Sequence, residues 1–153
     1  MLPGTRRLVM TPGKNQKCFI AGAFEPKRQR LVYAEGDRKA SWLFLNLLRA
    51  LLEAYARAGR IYVILDNHVI HQHGIVECRL RDHGGKIHLY FLPPYCPEAN
   101  RSERIWLNLH NNVMRNHRCR ALAEMMSNIR RSFMPGSGII IQLLANHAKA
   151  LRR

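Results

Sequence analysis

Acidic residues are scarce in this 153-residue chain, where 10 Asp and Glu face 25 Lys and Arg for a formal net charge of +15. An imbalance of that size points to a polyanionic partner, most commonly nucleic acid. Cysteine is sparse and scattered: Cys18, Cys78, Cys96 and Cys119 form no C-x-x-C pair. That spacing argues against a zinc ribbon or a disulfide framework, and makes reduced thiols the expectation. No unbroken apolar run is long enough for a bilayer, because the most apolar stretch, residues 41–58, is interrupted by Asn46, Arg49 and Glu53. The first residues lack the apolar core of a signal peptide. These absences lead to the expectation of an intracellular protein with no membrane contact. There is also no internal repeat and no low-complexity segment.

The residues that are present describe a globular chain. Hydrophobic residues make up 47% of it, enough for a core in a single domain of this length. Charge is unevenly placed. Residues 1–40 hold nine bases and three acids, residues 101–153 hold ten and two, and residues 41–100 are near neutral with six and five. Basic flanks around a neutral centre suit a packed core with phosphate-contacting edges.

Residues 1–16, rich in Gly, Pro and Arg, are expected to be an irregular lead-in. Residues 17–24 and 29–35 are β-prone runs joined by Glu25-Pro26-Lys27-Arg28, a hairpin signal. A helix is expected over residues 40–58, capped near Ser41 and stopped by Gly59. Asn46, Arg49, Glu53 and Arg57 form its solvent stripe, with Glu53 and Arg57 as an i,i+4 pair. Ile61–Leu65 is a continuous apolar run, the pattern of a strand covered on both faces, and residues 87–92 are a second. Further helices are expected over residues 74–82 (ended by Gly84-Gly85), 101–116 and 121–133, with a basic helical tail after a Gly/Pro break at residues 135–138. A hairpin followed by helix–strand–helix–strand–helix is an α/β pattern: a mixed sheet with helices on its faces.

Two acids, Asp66 and Glu103, are candidates for a functional role. Asp66 directly follows the run Ile61–Leu65, so its carboxylate should emerge at a strand's C-terminal end, where open α/β sheets bind ligands. The bland alternative is an Asp66-Asn67 turn cap, and position alone leaves roughly even odds between the two. Glu103 lies in the first turn of a helix, where the dipole favours an acid in any protein, so by itself it reads as a helix stabiliser. His68, His71 and His73 do not have zinc-ligand spacing. Trp106 falls on the apolar helical face with Ile105, Leu109 and Val113 and reads as core.

The joint pattern is more informative than its parts. Asp66-Asn67, His71, Leu92-Pro93-Pro94-Tyr95, Pro97-Glu98, Asn100, Glu103-Arg104 and Trp106 occur in one order. This string resembles the DDE-superfamily endonucleases of bacterial insertion sequences, relatives of mariner-type transposases, whose motif reads approximately D-N-x-x-x-H, then L-P-P-Y-S-P-x-L-N-P-I-E-x-x-W. The resemblance implies a ribonuclease H-like α/β fold over residues 17–134, with 135–153 as a basic tail. It implies that Asp66 and Glu103 are the second and third acids of a catalytic triad that binds two Mg²⁺ ions, with Mn²⁺ as substitute. Asn67, His71, Pro94, Tyr95, Asn100 and Trp106 would support the motif. It also implies DNA as partner (transposon ends and target), a homodimer on that DNA, and a cytoplasmic location beside the nucleoid.

The chain departs from the motif at Cys96, Ala99 and Arg101-Ser102, where the family has Ser, Leu and Pro-Ile. A proline there would pre-set the backbone ahead of Glu103. The larger departure is upstream. No acid precedes Glu25, so the triad's first aspartate, the strand that bears it and an N-terminal helix-turn-helix region are expected to be absent. The chain then reads as a fragment, or as one half of a split frame with a companion N-terminal half. The rival reading is a catalytically inactive DNA-binding fragment or accessory subunit. A general basic RNA-binding protein fits the two-acid motif poorly.

Overall fold

The computed structural model describes residues 16–93, 102–115 and 117–134. They fall into two compact units. One is Cys18–Trp106, and the other contains, among the described residues, 16–17, 107–115 and 117–134.

In the first unit, strands β1 (Phe19–Glu25) and β2 (Arg30–Gly36) form an antiparallel hairpin in which Gly22 pairs with Tyr33. The turn residue Gln29 takes a left-handed φ of 53°. Helix α1 (Ser41–Ala54) follows and buries Leu43, Phe44, Leu45, Leu47, Leu48 and Leu51. Strands β3 (Ile61–Leu65) and β4 (Ile87–Phe91) pair in parallel, with helix α2 (Gly74–Asp82) crossing between them. Gly84 and Gly85, at φ of 60° and 70°, turn the chain out of α2 in a conformation that L side chains rarely adopt. The core is α1's apolar face packed with Val32, Val63, Leu65, Val76 and Ile87. Helix α3 (Ser102–Leu109) begins in this unit.

Helix α1 fixes the direction of everything around it. At its start, the Phe44 ring lies 4.4 Å from that of His71, whose Nδ1 is 3.1 Å from the Asp66 carbonyl, just past the end of β3. Gly36, the last residue of β2, sits against Leu43. Beyond the other end, the Tyr55 hydroxyl donates to Glu25 Oε2 at 2.7 Å, and Glu25 is the last residue of β1. Lys86, just before β4, donates to the Ala56 carbonyl there at 2.7 Å. Thus β1 runs antiparallel to β3 and β4.

Several expectations are corrected. A mixed sheet lacking its first strand was expected, and among the described residues β1-β2 and β3-β4 are two separate two-stranded sheets with no ladder between β1 and β3. Strand β3 was expected to be covered on both faces, yet Tyr62 is 57% and Ile64 67% exposed. Among the described residues α1 covers only the face bearing Val63 and Leu65, and β4 likewise leaves Tyr90 and Phe91 exposed. The α1 N-cap is Ala40, with no side-chain cap bond, so Ser41 does not cap it. The helix ends at Ala54 and not near Gly59, because Tyr55 turns toward Glu25. Arg57 therefore lies beyond the helix, and the expected i,i+4 pairing with Glu53 does not form on it. Asn46, Arg49 and Glu53 are exposed, as their spacing implied.

In the second unit, the helix expected over residues 101–116 changes character after α3. Residues His110–Met114 form a π-turn, closed by Arg115 N–H donating to the His110 carbonyl at 2.7 Å. Helix α4 (Leu122–Phe133) buries Met126, Ile129 and Phe133. The Glu124 carboxylate accepts from Arg120 N–H at 2.9 Å, a charged partner for an N–H just outside the helix start. The expected helical tail, and the motif residues Pro94, Tyr95 and Asn100, lie outside the described residues.

Candidate metal centre

Both candidate acids line one cavity of about 960 Å³ in the first unit. Asp66 reaches it from the C-terminal end of β3 and Glu103 from the first turn of α3. They are 37 positions apart in sequence. The cavity lies between the two sheets, and every residue of β1 and of β3 lines it. One wall is α1, through Leu43, Leu47 and Leu51, and the other is α3, through Ser102, Glu103 and Trp106.

Glycine at position 22 lets the second wall come close. An added Cβ at Gly22 would lie 2.9 Å from Trp106 Cζ2, so the indole rests on the strand's backbone. Ala21 and Ala23 pack into the α1 core. Alternating residues of β1 therefore face α1 and α3, which places the two helices on opposite faces of the strand. Trp106 is half-buried in this contact, where a fully buried core position was expected.

Around Asp66 the polar contacts are local. The carboxylate is 61% exposed, and its Oδ1 lies 3.2 Å from His71 Nδ1. The same nitrogen faces the Asp66 carbonyl oxygen. Both neighbours are acceptors, so Nδ1 carries the proton and the neutral ring keeps its lone pair on Nε2. Burial, the largest effect, lowers the His71 pKa from its ordinary value of 6.5, against the opposing pull of the Asp66 carbonyl and carboxylate. The nearby His68 and Lys39 add to the lowering. Asn67 does not cap a turn with its side chain; its Nδ2 donates to the Leu92 carbonyl at 2.8 Å and ties the end of β3 to the end of β4.

The other histidines have structural roles. His68 Nδ1 accepts from Ile70 N–H at the start of a short 3₁₀ turn (Val69–His71), and His73 Nδ1 accepts from Ile75 N–H at the start of α2. Sequence reasoning did not foresee either cap. Histidine two residues before an apolar position at a helix start is the only signal that could have suggested one.

A divalent hard cation favours oxygen ligands, and two exposed carboxylates bordering one cavity are donors of that kind. The number is short: among the described residues, no group of three or more His, Cys, Asp or Glu is placed to hold a metal ion.

The unit is of mixed α/β type, and Asp66 and Glu103 are both among the residues lining its cavity. Comparison with known proteins adds the family, since a family model described as DDE superfamily endonuclease matches residues 1–126. The chain belongs to that family. It is also similar to an uncharacterized 39 kDa protein of insertion element IS630 from Shigella sonnei, 34% identical over 129 residues. That match covers 84% of this chain and 37% of the relative, so the chain spans little more than a third of the relative's length. No helix among the described residues is long and apolar enough to cross a membrane.

Proposed function

We propose that this chain is part of a transposase catalytic domain, a ribonuclease H-like unit that cleaves DNA strands and joins them to a target with a divalent metal. The observation that carries the reading is that Asp66 and Glu103, the two acids at the family motif's positions, line one cavity. Asp66 and Glu103 would hold Mg²⁺, or Mn²⁺ in its place. Metal held by these acids would supply Lewis-acid activation of a water or 3′-hydroxyl nucleophile and stabilisation of the leaving oxygen. The chain's own residues do the positioning. The Asp66–His71 contact anchors the loop after β3, Asn67 fastens that loop to β4, and the Gly22–Trp106 contact sets α3, and with it Glu103, against the sheet. The +15 charge supplies non-specific affinity for the DNA backbone.

Two carboxylates are too few for two ions, because Mg²⁺ is usually held through several oxygens at near-octahedral geometry. The chain alone is therefore inactive in this reading. A third acid comes from polypeptide beyond it, either upstream in a longer chain or on a companion N-terminal half, and the active assembly is a homodimer on DNA. The absence of a third ligand among the described residues equally favours an inactive DNA-binding or accessory role. Supercoiled-plasmid nicking with Mg²⁺ or Mn²⁺ separates the readings. A protein extended upstream by an acid-bearing segment should nick, its Asp66→Asn variant should not, and the 153-residue chain should not. Inactivity of the extended protein would favour the accessory role. Full activity of the short chain, abolished by Asp66→Asn, would overturn the missing-acid claim.

A further inference from the structure

Helix α1 has a solvent face that neither the core nor the candidate metal centre uses. Its exposed positions, Trp42, Asn46, Arg49 and Glu53, recur at intervals of three and four and so share one side of the helix. Trp42 is 61% exposed, and no ring contact or hydrogen bond engages its indole among the described residues. A single exposed apolar side chain is ordinary on a protein surface, but the neighbours of this one are cations. Arg49 stands two turns further along the same stripe, its guanidinium held by Asn46 Oδ1 at 3.3 Å. In the other direction, Lys39 directly precedes the helix start, is exposed, and lines the cavity together with Asp66 and Glu103. Its charge reaches the ring of His71, which touches Asp66, so Lys39 belongs to the acid end of that cavity. No carboxylate pairs with the Lys39 ammonium among the described residues. Asp37, two positions earlier, lies 3.8 Å from Arg38 Nε, and the first acid of α1 is Glu53, near its far end.

We propose that Lys39, Trp42 and Arg49 form a contact track for unpaired DNA leaving the cavity. Lys39 takes a phosphate at the cavity mouth, the Trp42 indole stacks on an unpaired base beyond it, and Arg49 takes a further phosphate. Stacking of this kind needs a base whose face is free, as in a single strand, and it tolerates any sequence because every base has a π-face. The cations match the charge of the backbone, and no acid interrupts the stripe between Trp42 and Arg49. The track starts where Asp66 and Glu103 are, so a strand lying on it is continuous with the bond presented to the metal site. Its residues position that strand and take no part in the chemistry. The proposal rests on the DNA-processing reading for its substrate, and not on the metal or on the missing acid.

Fluorescence anisotropy tests this on the 153-residue chain, in EDTA so that no cleavage intervenes. The probes are a labelled single strand about twelve nucleotides long and the duplex of the same sequence. Trp42→Ala should weaken single-strand binding about fivefold or more, and duplex binding by less than about twofold. Trp42→Phe should keep most of the affinity while losing the tryptophan quenching that the single strand produces in the parent. Lys39→Ala should lower the salt slope of single-strand binding by about 0.7, the value of one phosphate contact. Arg79→Ala, which removes the same charge from α2, should leave that slope unchanged. Circular dichroism checks that each variant is folded; if Trp42→Ala is not, the quenching and its loss in Trp42→Phe decide. Unchanged single-strand affinity in Trp42→Ala overturns the proposal, as do equal losses for single strand and duplex. A Trp42→Ala protein that sediments as a smaller species than the parent also overturns it, since a second copy then covers this face. Duplex binding to which Trp42 contributes nothing contradicts only the track, whereas a chain with no affinity for either DNA contradicts the nuclease reading as well.

Discussion

The Trp106 indole of α3 lies against Gly22 of β1: a Cβ at position 22 would lie 2.9 Å from Trp106 Cζ2 and 3.0 Å from Cη2. A methyl there must displace the indole or the strand, so Gly22→Ala should destabilise the fold by about 1–3 kcal/mol despite alanine's ease in the backbone. Chemical denaturation followed by tryptophan fluorescence measures it. In a Trp106→Phe background, where both ring carbons are gone, the same substitution should cost at least 1 kcal/mol less, a coupling that a double-mutant cycle reads directly. Equal costs in the two backgrounds would mean that the contact does not hold α3.

His71 should make stability pH-dependent. Its pKa is lowered in the fold from 6.5, chiefly by burial, so the unfolded chain takes up its proton first as pH falls. The contribution to stability is level above about pH 6.5. It declines as pH drops below that value, and levels off again below the folded-state pKa. Urea titrations at pH 7.5 and 5.5 should show the loss, and His71→Gln should shrink it. A variant with an undiminished pH slope would place the effect on another group.

The Tyr55–Glu25 hydrogen bond links the end of α1 to the end of β1. Tyr55→Phe should cost about 0.5–1.5 kcal/mol, since Arg28 remains as a partner for the Glu25 carboxylate. Leu47→Ala, in the middle of α1's buried face, should cost about 2–5 kcal/mol. Thermal melts that rank the two in the opposite order would contradict the placement of the core.

Much of this architecture was readable before any coordinates. The apolar run Ile61–Leu65 is a strand with those bounds, and residues 74–82 are a helix because Gly84 and Gly85 end it at positive φ. Asp66's place at the end of a strand followed from the run ahead of it. Features that depend on partners were not readable. A continuous apolar strand does not reveal which face its neighbours leave open, as Tyr62 and Ile64 demonstrate. The end of α1 is set by a tertiary hydrogen bond to Glu25, which Gly59 does not signal. Periodicity is blind to the cavity between β1 and β3, because the residues lining it belong to separate segments.

Duplex DNA binding should be weak, nearly indifferent to sequence and steeply salt-dependent, because the base excess lies in residues 1–40 and 101–153 and phosphate neutralisation releases counterions. Fluorescence anisotropy at 50 and 200 mM salt should show affinity falling by at least tenfold. Affinity that holds steady across that range would rule out an electrostatic footprint.

The most direct test of the central claim, that Asp66 and Glu103 serve one metal site, is to locate a bound ion by its paramagnetism. The amides of ¹⁵N-labelled protein are followed by NMR as Mn²⁺ is added at substoichiometric levels. For ions roughly 4 Å apart, the two carboxylates must come within about 8 Å of each other. The expected result is selective broadening of residues around both Asp66 and Glu103, reversed by excess Mg²⁺ and weakened by Asp66→Asn at both places together. Broadening at only one of the two acids, or centred on His68 and His73 with neither acid affected, would contradict it.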